Sequence, residues 1–182
     1  MPDRIGRVAI TIAAIFVSGA VYGAERYDLG RPATPAEIAG WDIDASPDGA
    51  GLPPGHGDVR QGETIFAAKC ASCHGAHGEG KPMDRLVGGI GTLRDKKPEK
   101  TVGSYWPYAT TLFDYVRRAM PLNAPQSLTA DEVYAVSAYV LFLNGIVSQD
   151  MTLDADNLAN VKMPNRDGFV RAYPSPGAVA KP

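Results

Sequence analysis

Two cysteines and a histidine stand close enough in the sequence to do chemistry together. Cys70, Cys73 and His74 have the spacing C-x-x-C-H, which is the attachment signature of a c-type haem. Two thiols separated by two residues reach one porphyrin edge, form thioethers with its vinyl groups, and leave the next residue to ligate the iron. The alternatives are a thioredoxin-type redox pair or two unrelated loop cysteines. The histidine directly after the second cysteine favours haem, and the motif occurs once, which predicts a single haem.

Six-coordinate iron needs a second axial ligand opposite His74. The candidates are the following methionines and histidines: Met83, Met120, Met151, Met163, His56 and His77. Met120 is preferred because it ends a predicted helix, precedes Pro121, and begins the loop that leads to the last helix. Its alternative is an ordinary core methionine. Met/His ligation marks the electron-carrying cytochromes and leaves no open position for a substrate.

Length and composition set broad limits on the class of protein. The chain has 182 residues, of which 45% are hydrophobic and 21% charged, as in ordinary globular proteins. The net charge of -2 carries no electrostatic footprint of a nucleic-acid-binding protein. Both cysteines of the chain lie in the haem motif, so thioether formation at both would leave none for a disulfide.

The first 24 residues have the features of an export signal. Arg4 and Arg7 form a basic start, residues 8–17 are an uncharged apolar run, and small residues follow. Uncleaved, this segment would be at the short limit of what can span a bilayer, so a signal anchor is the alternative. Both readings predict a periplasmic protein, which agrees with covalent haem attachment, because bacteria attach haem outside the cytoplasm.

Residues 25–57 form an extension rich in proline and glycine, which predicts turns and little regular structure. Thr34 and Glu37 have the spacing of a capping box, which predicts one short helix. Trp41 and Ile43 are apolar residues in a polar neighbourhood. We expect them to anchor the extension to the domain; docking to a partner protein is the alternative.

Residues 58–73 have apolar residues at helical spacing, which predicts a helix that runs into the haem motif. Asp58 and Gln61 supply a capping pair at its start. Gly62 lies inside this helix, where glycine costs about 1 kcal/mol relative to alanine. We therefore expect another helix to cross at Gly62, because a missing side chain permits close backbone approach.

Residues 75–103 contain seven glycines and are predicted to be a loop that wraps one edge of the porphyrin. The charge-rich turn in this loop contains Lys96, Lys97 and Lys100. A solvated surface is the ordinary interpretation of such a run; steering of a redox partner is the alternative.

Two further helices are predicted after this loop. The first ends before Met120 and has Thr111 and Asp114 as its capping pair. The second covers residues 129–144, with apolar residues spaced for one buried face. Its start has the capping box of Thr129 and Glu132.

Residues 146–182 form a proline-containing tail. Its scattered apolar residues predict partial packing on the domain, followed by disorder near the end.

These features together resemble a class I cytochrome c. The resemblance rests on Gly62 and Phe66 of the first helix, residues 70–74, the Met120-Pro121 pair, and Tyr139 of the last helix. It covers residues 58–145 and implies an all-α fold of three to five helices around one covalently bound haem c. In that family the first and last helices cross at the glycine. Residues 25–57 and 146–182 would then be irregular extensions.

A narrower resemblance concerns the cytochrome subunit of sulfane dehydrogenase in the Sox sulfur-oxidation system. It rests on residues 41–43, 47–49, 101–121 and 127–141. The resemblance implies electron transfer from a molybdenum-cofactor partner that oxidises protein-bound sulfur, and onward to a respiratory cytochrome. It also implies that Tyr105 and Trp106 lie near the haem propionates; plain core packing is their alternative.

The sequence departs from these families in two places. Longer relatives of the Sox subunit carry a second haem domain, which this sequence does not contain. Class I cytochromes commonly orient the haem histidine through the carbonyl of a proline two residues before a leucine. Here Pro82 stands four residues before Leu86, so the carbonyl that orients His74 is left open.

Three functions fit the residues. The first is a periplasmic mono-haem electron carrier, itself not an enzyme, that serves as the cytochrome subunit of a sulfur-compound dehydrogenase. The second is a free electron shuttle, or a subunit of another periplasmic dehydrogenase. The third is a haem enzyme or gas sensor with five-coordinate iron, which would bind carbon monoxide rapidly when reduced.

Overall fold

A computed structural model describes residues 29–170 and residue 173. The predicted export segment, residues 1–24, lies outside the described residues. The chain divides into two units, Met1–Thr34 and Pro35–Pro182. Of the first unit only residues 29–34 are described, and there the Arg31 guanidinium donates a hydrogen bond to the Pro32 carbonyl. None of the helices in the described residues has the length and apolar character needed to cross a membrane.

The second unit is built from helices with one small sheet. The helices described are α1 (Pro35–Trp41), α2 (Val59–Lys69), α3 (Ala71–His74), α4 (Val102–Tyr105), α5 (Ala109–Ala119) and α6 (Ala130–Leu143). The strands are β1 (His56–Asp58) and β2 (Thr152–Asp154), and single 3-10 turns occur at Thr92–Arg94 and Leu158–Asn160. The helical fold class is therefore confirmed; the pairing of two three-residue strands was not predicted.

Helices α2 and α6 cross at Gly62, as predicted. A Cβ atom placed on Gly62 would lie 1.9 Å from the Ala135 carbonyl oxygen and 2.8 Å from the Tyr139 Cβ. The two backbones are in direct contact, so the position has no room for any side chain. Close to the crossing, the ring of Phe66 packs on that of Tyr139 with centroids 5.4 Å apart.

Both helices of the crossing begin at the predicted capping boxes. The Asp58 carboxylate accepts a hydrogen bond from the Gln61 backbone N–H, and the Gln61 side chain accepts one from the Asp58 N–H. Thr129 and Glu132 exchange the same pair of bonds at the start of α6. These bonds satisfy N–H groups that the first turn of a helix leaves unpaired.

The apolar core gathers around α6, in which every residue from Val133 to Leu141 is buried. Its other large members come from α2, α5 and the C-terminal tail: Val59, Phe66, Leu112, Phe113, Val116, Leu153, Leu158 and Met163. The tail therefore packs on the domain, as predicted. Its strand β2 runs antiparallel to β1, with Asp154 opposite His56.

The N-terminal extension is attached to α5 by hydrogen bonds. The Asp114 carboxylate accepts one from the Ala45 backbone N–H at 2.9 Å, and the Arg117 guanidinium donates one to the Ile43 carbonyl at 2.9 Å. Ile43 is partly buried, but Trp41 is 87% exposed. The prediction that Trp41 anchors the extension is therefore wrong, because the chain is held through backbone groups after the tryptophan.

The predicted capping pair of α5 is also wrong. The helix begins at Ala109, two residues before Thr111. Asp114 lies inside the helix and is nearly buried, where it binds Arg118 as well as Ala45. The carboxylate that we assigned to a helix cap instead pairs with a cation on its own helix and with the extension.

Candidate haem site

One tight turn presents the three residues of the haem motif. Cys70 ends α2, and Cys73 and His74 lie on the single turn of α3. The backbone N–H groups of Cys73 and His74 both donate to the Cys70 carbonyl, at 3.1 and 3.0 Å. Both cysteines are partly buried, and they form no disulfide with each other. The turn thus places two thiols and an imidazole on one short stretch of backbone.

The environment of Cys70 argues against a redox-active cysteine pair. Burial raises the pKa of the Cys70 thiol to about 11, against a smaller opposing effect of Lys69. Reactive cysteines of the thioredoxin type have a lowered pKa, because a positive environment stabilises their thiolate. The Cys70 thiol, with its raised pKa, lacks this property.

The carbonyl left open by the sequence is that of Asp84. The Nδ1 atom of His74 lies 2.8 Å from the Asp84 carbonyl oxygen. A carbonyl can only accept a hydrogen bond, so Nδ1 carries the hydrogen and Nε2 is left as the free ligand nitrogen. Asp84 stands two residues before Leu86, the offset at which the family commonly has proline. The spacing from Leu86 thus identifies the residue whose carbonyl holds His74. The proline at position 82 does not mark that residue.

The loop that carries Asp84 is tied back to the haem motif by backbone hydrogen bonds. The N–H of Met83 donates to the Cys73 carbonyl at 2.9 Å, and that of Gly80 donates to the His74 carbonyl at 2.7 Å. These bonds set the loop beside the imidazole whose Nδ1 it holds.

Met120 follows α5 directly. Its backbone N–H donates to the Val116 carbonyl at 3.1 Å, and its side chain is partly buried against the core. Among the alternatives, Met163 is 3% exposed within the core and Met83 is 47% exposed on the loop. His56 and His77 are exposed, and Met151 is partly buried after α6. Met120 remains our predicted iron ligand.

Tyr105 and Trp106 have different neighbours. Trp106 packs edge-to-face on Tyr115, with ring centroids 5.7 Å apart, and contacts the core as Met120 does. Tyr105 packs edge-on against Phe169 of the tail, with centroids 5.1 Å apart. The Lys100 ammonium lies 4.9 Å above the Tyr105 ring. Trp106 therefore contacts α5, the helix that Met120 follows, whereas Tyr105 contacts the C-terminal tail.

The donor set of the site fits a haem. Two thiols, an imidazole with its hydrogen on Nδ1, and a thioether are the groups that covalent attachment and Met/His ligation require. In the described segment 59–144, the exposed large apolar side chains are Met83, Ile90, Tyr115 and Leu122. Met83 and Ile90 belong to the loop after the haem motif, and Tyr115 and Leu122 lie five and two residues from Met120 in the sequence.

Known proteins resemble this chain in sequence and in fold. The family model described as cytochrome c matches residues 59–144. A solved structure, the sulfane dehydrogenase SoxCD from Paracoccus pantotrophus, contains a chain that is 48% identical. The match covers 80% of this chain and 72% of that chain, with a TM-score of 0.76. A comparison with curated proteins returned no match.

These findings place the chain in the cytochrome c family, with the class I fold. Its cofactor is haem c, covalently bound, as the family implies. Within that family the chain is similar to a chain of the SoxCD sulfane dehydrogenase. An electron-transfer protein with a link to sulfur oxidation is therefore supported.

Proposed function

We propose that this protein is the cytochrome subunit of a periplasmic sulfur-compound dehydrogenase. It would accept electrons from a molybdenum-cofactor subunit that oxidises sulfane or sulfite sulfur, and pass them to a respiratory cytochrome. The observation that carries the proposal is the 48% identity to a chain of a sulfane dehydrogenase over 80% of this chain. So long a match includes residues outside 59–144, where a general cytochrome c domain has no counterpart.

Each site residue has one role in this proposal. Cys70 and Cys73 would attach the porphyrin, and His74 Nε2 and the Met120 thioether would bind the iron. When bound, the haem supplies a one-electron couple whose potential is raised by a Met/His ligand pair. Asp84 fixes the ring of His74 through its carbonyl. With two side chains bound, the iron would offer no position to a substrate, so the protein would carry electrons without being an enzyme.

The proposed location is the periplasm. Residues 1–24 would direct export, and if they are not cleaved they would anchor the protein to the inner membrane. Covalent haem attachment is consistent with this location.

Two exposed apolar residues of helix α1, in the N-terminal extension, favour docking of a partner protein. Trp41 is 87% exposed and Ile38, three residues earlier on α1, is 53% exposed. Residues at i and i+3 lie on the same face of a helix. Because hydrogen bonds from Asp114 and Arg117 hold the backbone just after α1, this apolar pair is presented at a defined place.

The test is co-purification from periplasm. Affinity-tagged protein, expressed from its own chromosomal locus, should retain a second subunit, and metal analysis should find molybdenum in equal amount to iron. The variant Trp41→Ala should retain less of the second subunit while binding haem normally, and Tyr173→Ala, another exposed aromatic, should behave as wild type. Stoichiometric haem with no molybdenum would contradict the proposal and favour a free shuttle or another dehydrogenase.

A further inference from the structure

Asn144 joins the end of α6 to the loop beside the haem motif. Its side chain is only 8% exposed. The Nδ2 atom donates to the Leu86 carbonyl at 3.2 Å and to the Val140 carbonyl at 2.9 Å. The Oδ1 atom accepts from the Gly88 N–H at 3.1 Å. One amide thus binds a carbonyl and an N–H group of the same loop, two residues apart.

The bonded stretch of loop leads directly to the histidine. Leu86 is two residues after Asp84, and the Asp84 carbonyl holds His74 Nδ1 at 2.8 Å. The loop is held on its other side by Thr101, whose hydroxyl donates to the Gly88 carbonyl at 2.6 Å. The Gly78 carbonyl also accepts from the Leu86 N–H at 2.8 Å. Asn144 therefore supplies the side-chain bonds among several that hold the segment next to Asp84.

We propose that Asn144 is a positioning residue for the haem histidine. It acts through the loop: the amide sets Leu86 and Gly88, these set the Asp84 carbonyl, and the carbonyl sets the ring of His74. The inference rests on the proposed role of His74 as iron ligand, and it needs no assumption about the partner protein.

The chemistry of this position suits asparagine better than a charged or apolar residue of similar size. An aspartate would offer only acceptors and would face the carbonyls of Leu86 and Val140 with negative charge. A leucine would leave the same carbonyls and the Gly88 N–H without this partner. Gly103 also belongs to the arrangement, because a Cβ there would lie 2.1 Å from Asn144 Oδ1. The close approach of α4 to Asn144 therefore requires glycine.

The expected consequence concerns the electronic character of the imidazole. A carbonyl that accepts the Nδ1 hydrogen makes the ring a stronger donor to a metal. A stronger donor favours the oxidised metal, so a loosened hydrogen bond should raise the reduction potential. Asn144 would thus influence the reduction potential through the loop that holds the Asp84 carbonyl.

The test is Asn144→Leu, with Asn157→Leu as its matched control. Asn157 also bonds through both amide atoms, to the Asp154 N–H and the Thr152 carbonyl, in the tail. In the reduced protein, exchange of the His74 Nδ1 hydrogen should be about tenfold faster in Asn144→Leu, the factor expected for loss of one hydrogen bond. The midpoint potential should rise. Asn157→Leu should lower thermal stability and change neither quantity.

A milder variant covers the case in which Asn144→Leu does not fold. Asn144→Ser keeps a small polar group that cannot span both loop groups, and the same faster exchange and higher potential are expected. Equal exchange rates and potentials in wild type, either Asn144 variant and Asn157→Leu would overturn the positioning role alone. If His74 ring protons of reduced wild type lack the large ring-current shift of an axial ligand, the ligand assignment and the positioning role fall together.

Discussion

The helix crossing and the haem-side loop are built in opposite ways. At the crossing, α2 and α6 meet backbone to backbone, and nine consecutive residues of α6 are buried. In the haem-side loop, defined here as residues 75–101, residues 81–85 are all exposed. Backbone hydrogen bonds to Cys73 and His74, and side-chain bonds from Asn144 and Thr101, hold this loop. The crossing is held by packing, and the loop by hydrogen bonds to the haem motif, to Asn144 and within itself.

This difference indicates which part of the protein the cofactor stabilises. A packed helix pair buries its own apolar surface and gains most of its stability from that burial. A loop with exposed backbone bonds opens at low free-energy cost unless something covers it. We therefore expect haem attachment to stabilise the loop far more than the crossing.

The largest effect should come from removing the attachment. In Cys70→Ala with Cys73→Ala, exported normally, the chain has no covalent link to haem and should lose cooperative folding. Limited proteolysis should cut first within residues 75–101 and only later within α2 or α6. Mass spectrometry of the fragments gives the order of cleavage. Cleavage within α2 or α6 as early as within residues 75–101 would contradict the comparison.

The next largest effect concerns the crossing itself. Gly62→Ala would place a methyl group 1.9 Å from the Ala135 carbonyl, and neither backbone can yield without separating the helices. We expect a loss of about 3 kcal/mol in the free energy of unfolding, measured by denaturant titration of the haem-loaded protein. Gly40→Ala is the matched control, since nothing lies within 4 Å of a Cβ there. If Gly62→Ala has the same free energy of unfolding as the wild type, the helices are not in close contact.

The smallest expected effect concerns Glu132, which pairs with Lys69 at the edge of the crossing. The Thr129 N–H and the Lys69 ammonium hold the pKa of the Glu132 carboxyl below its ordinary value. A lowered pKa in the folded state adds stability at neutral pH that is lost as the pH falls through that pKa. Glu132→Gln should remove about 1 kcal/mol at pH 7 and weaken the acid dependence.

That measurement is a series of unfolding titrations between neutral and acid pH. Glu63→Gln, which removes the same charge from the exposed face of α2, is the control for the loss of one negative charge. Identical slopes for wild type and Glu132→Gln would contradict the assignment.

The crossing was predictable from sequence because its signals are local or periodic. The capping boxes at Asp58 and Thr129 mark helix starts through side chains three residues apart, and Gly62 stands out inside an apolar pattern. The start of α5 was missed because Asp114 has the spacing of a cap but bonds instead to Ala45, which is 69 residues away in sequence. Spacing alone does not reveal such a tertiary partner.

The haem-side loop was predictable only in part. Cys70, Cys73 and His74 are recognised by spacing, but the group that holds His74 is a backbone carbonyl, which any residue can supply. Asn144 was assigned only to the end of α6, because its bonds to Leu86 and Gly88 cross more than 50 residues. The β1–β2 pair was missed because three-residue strands carry too little alternation to be recognised.

The central claim is that this cytochrome carries electrons through iron ligated by His74 and Met120. The direct test is the absorption spectrum of the oxidised protein, compared among wild type, Met120→Ala and the control Met83→Ala. We predict the methionine-to-iron band in wild type and Met83→Ala, and its loss in Met120→Ala together with rapid carbon monoxide binding after reduction. A wild-type protein that lacks the band and binds carbon monoxide readily when reduced would contradict the account.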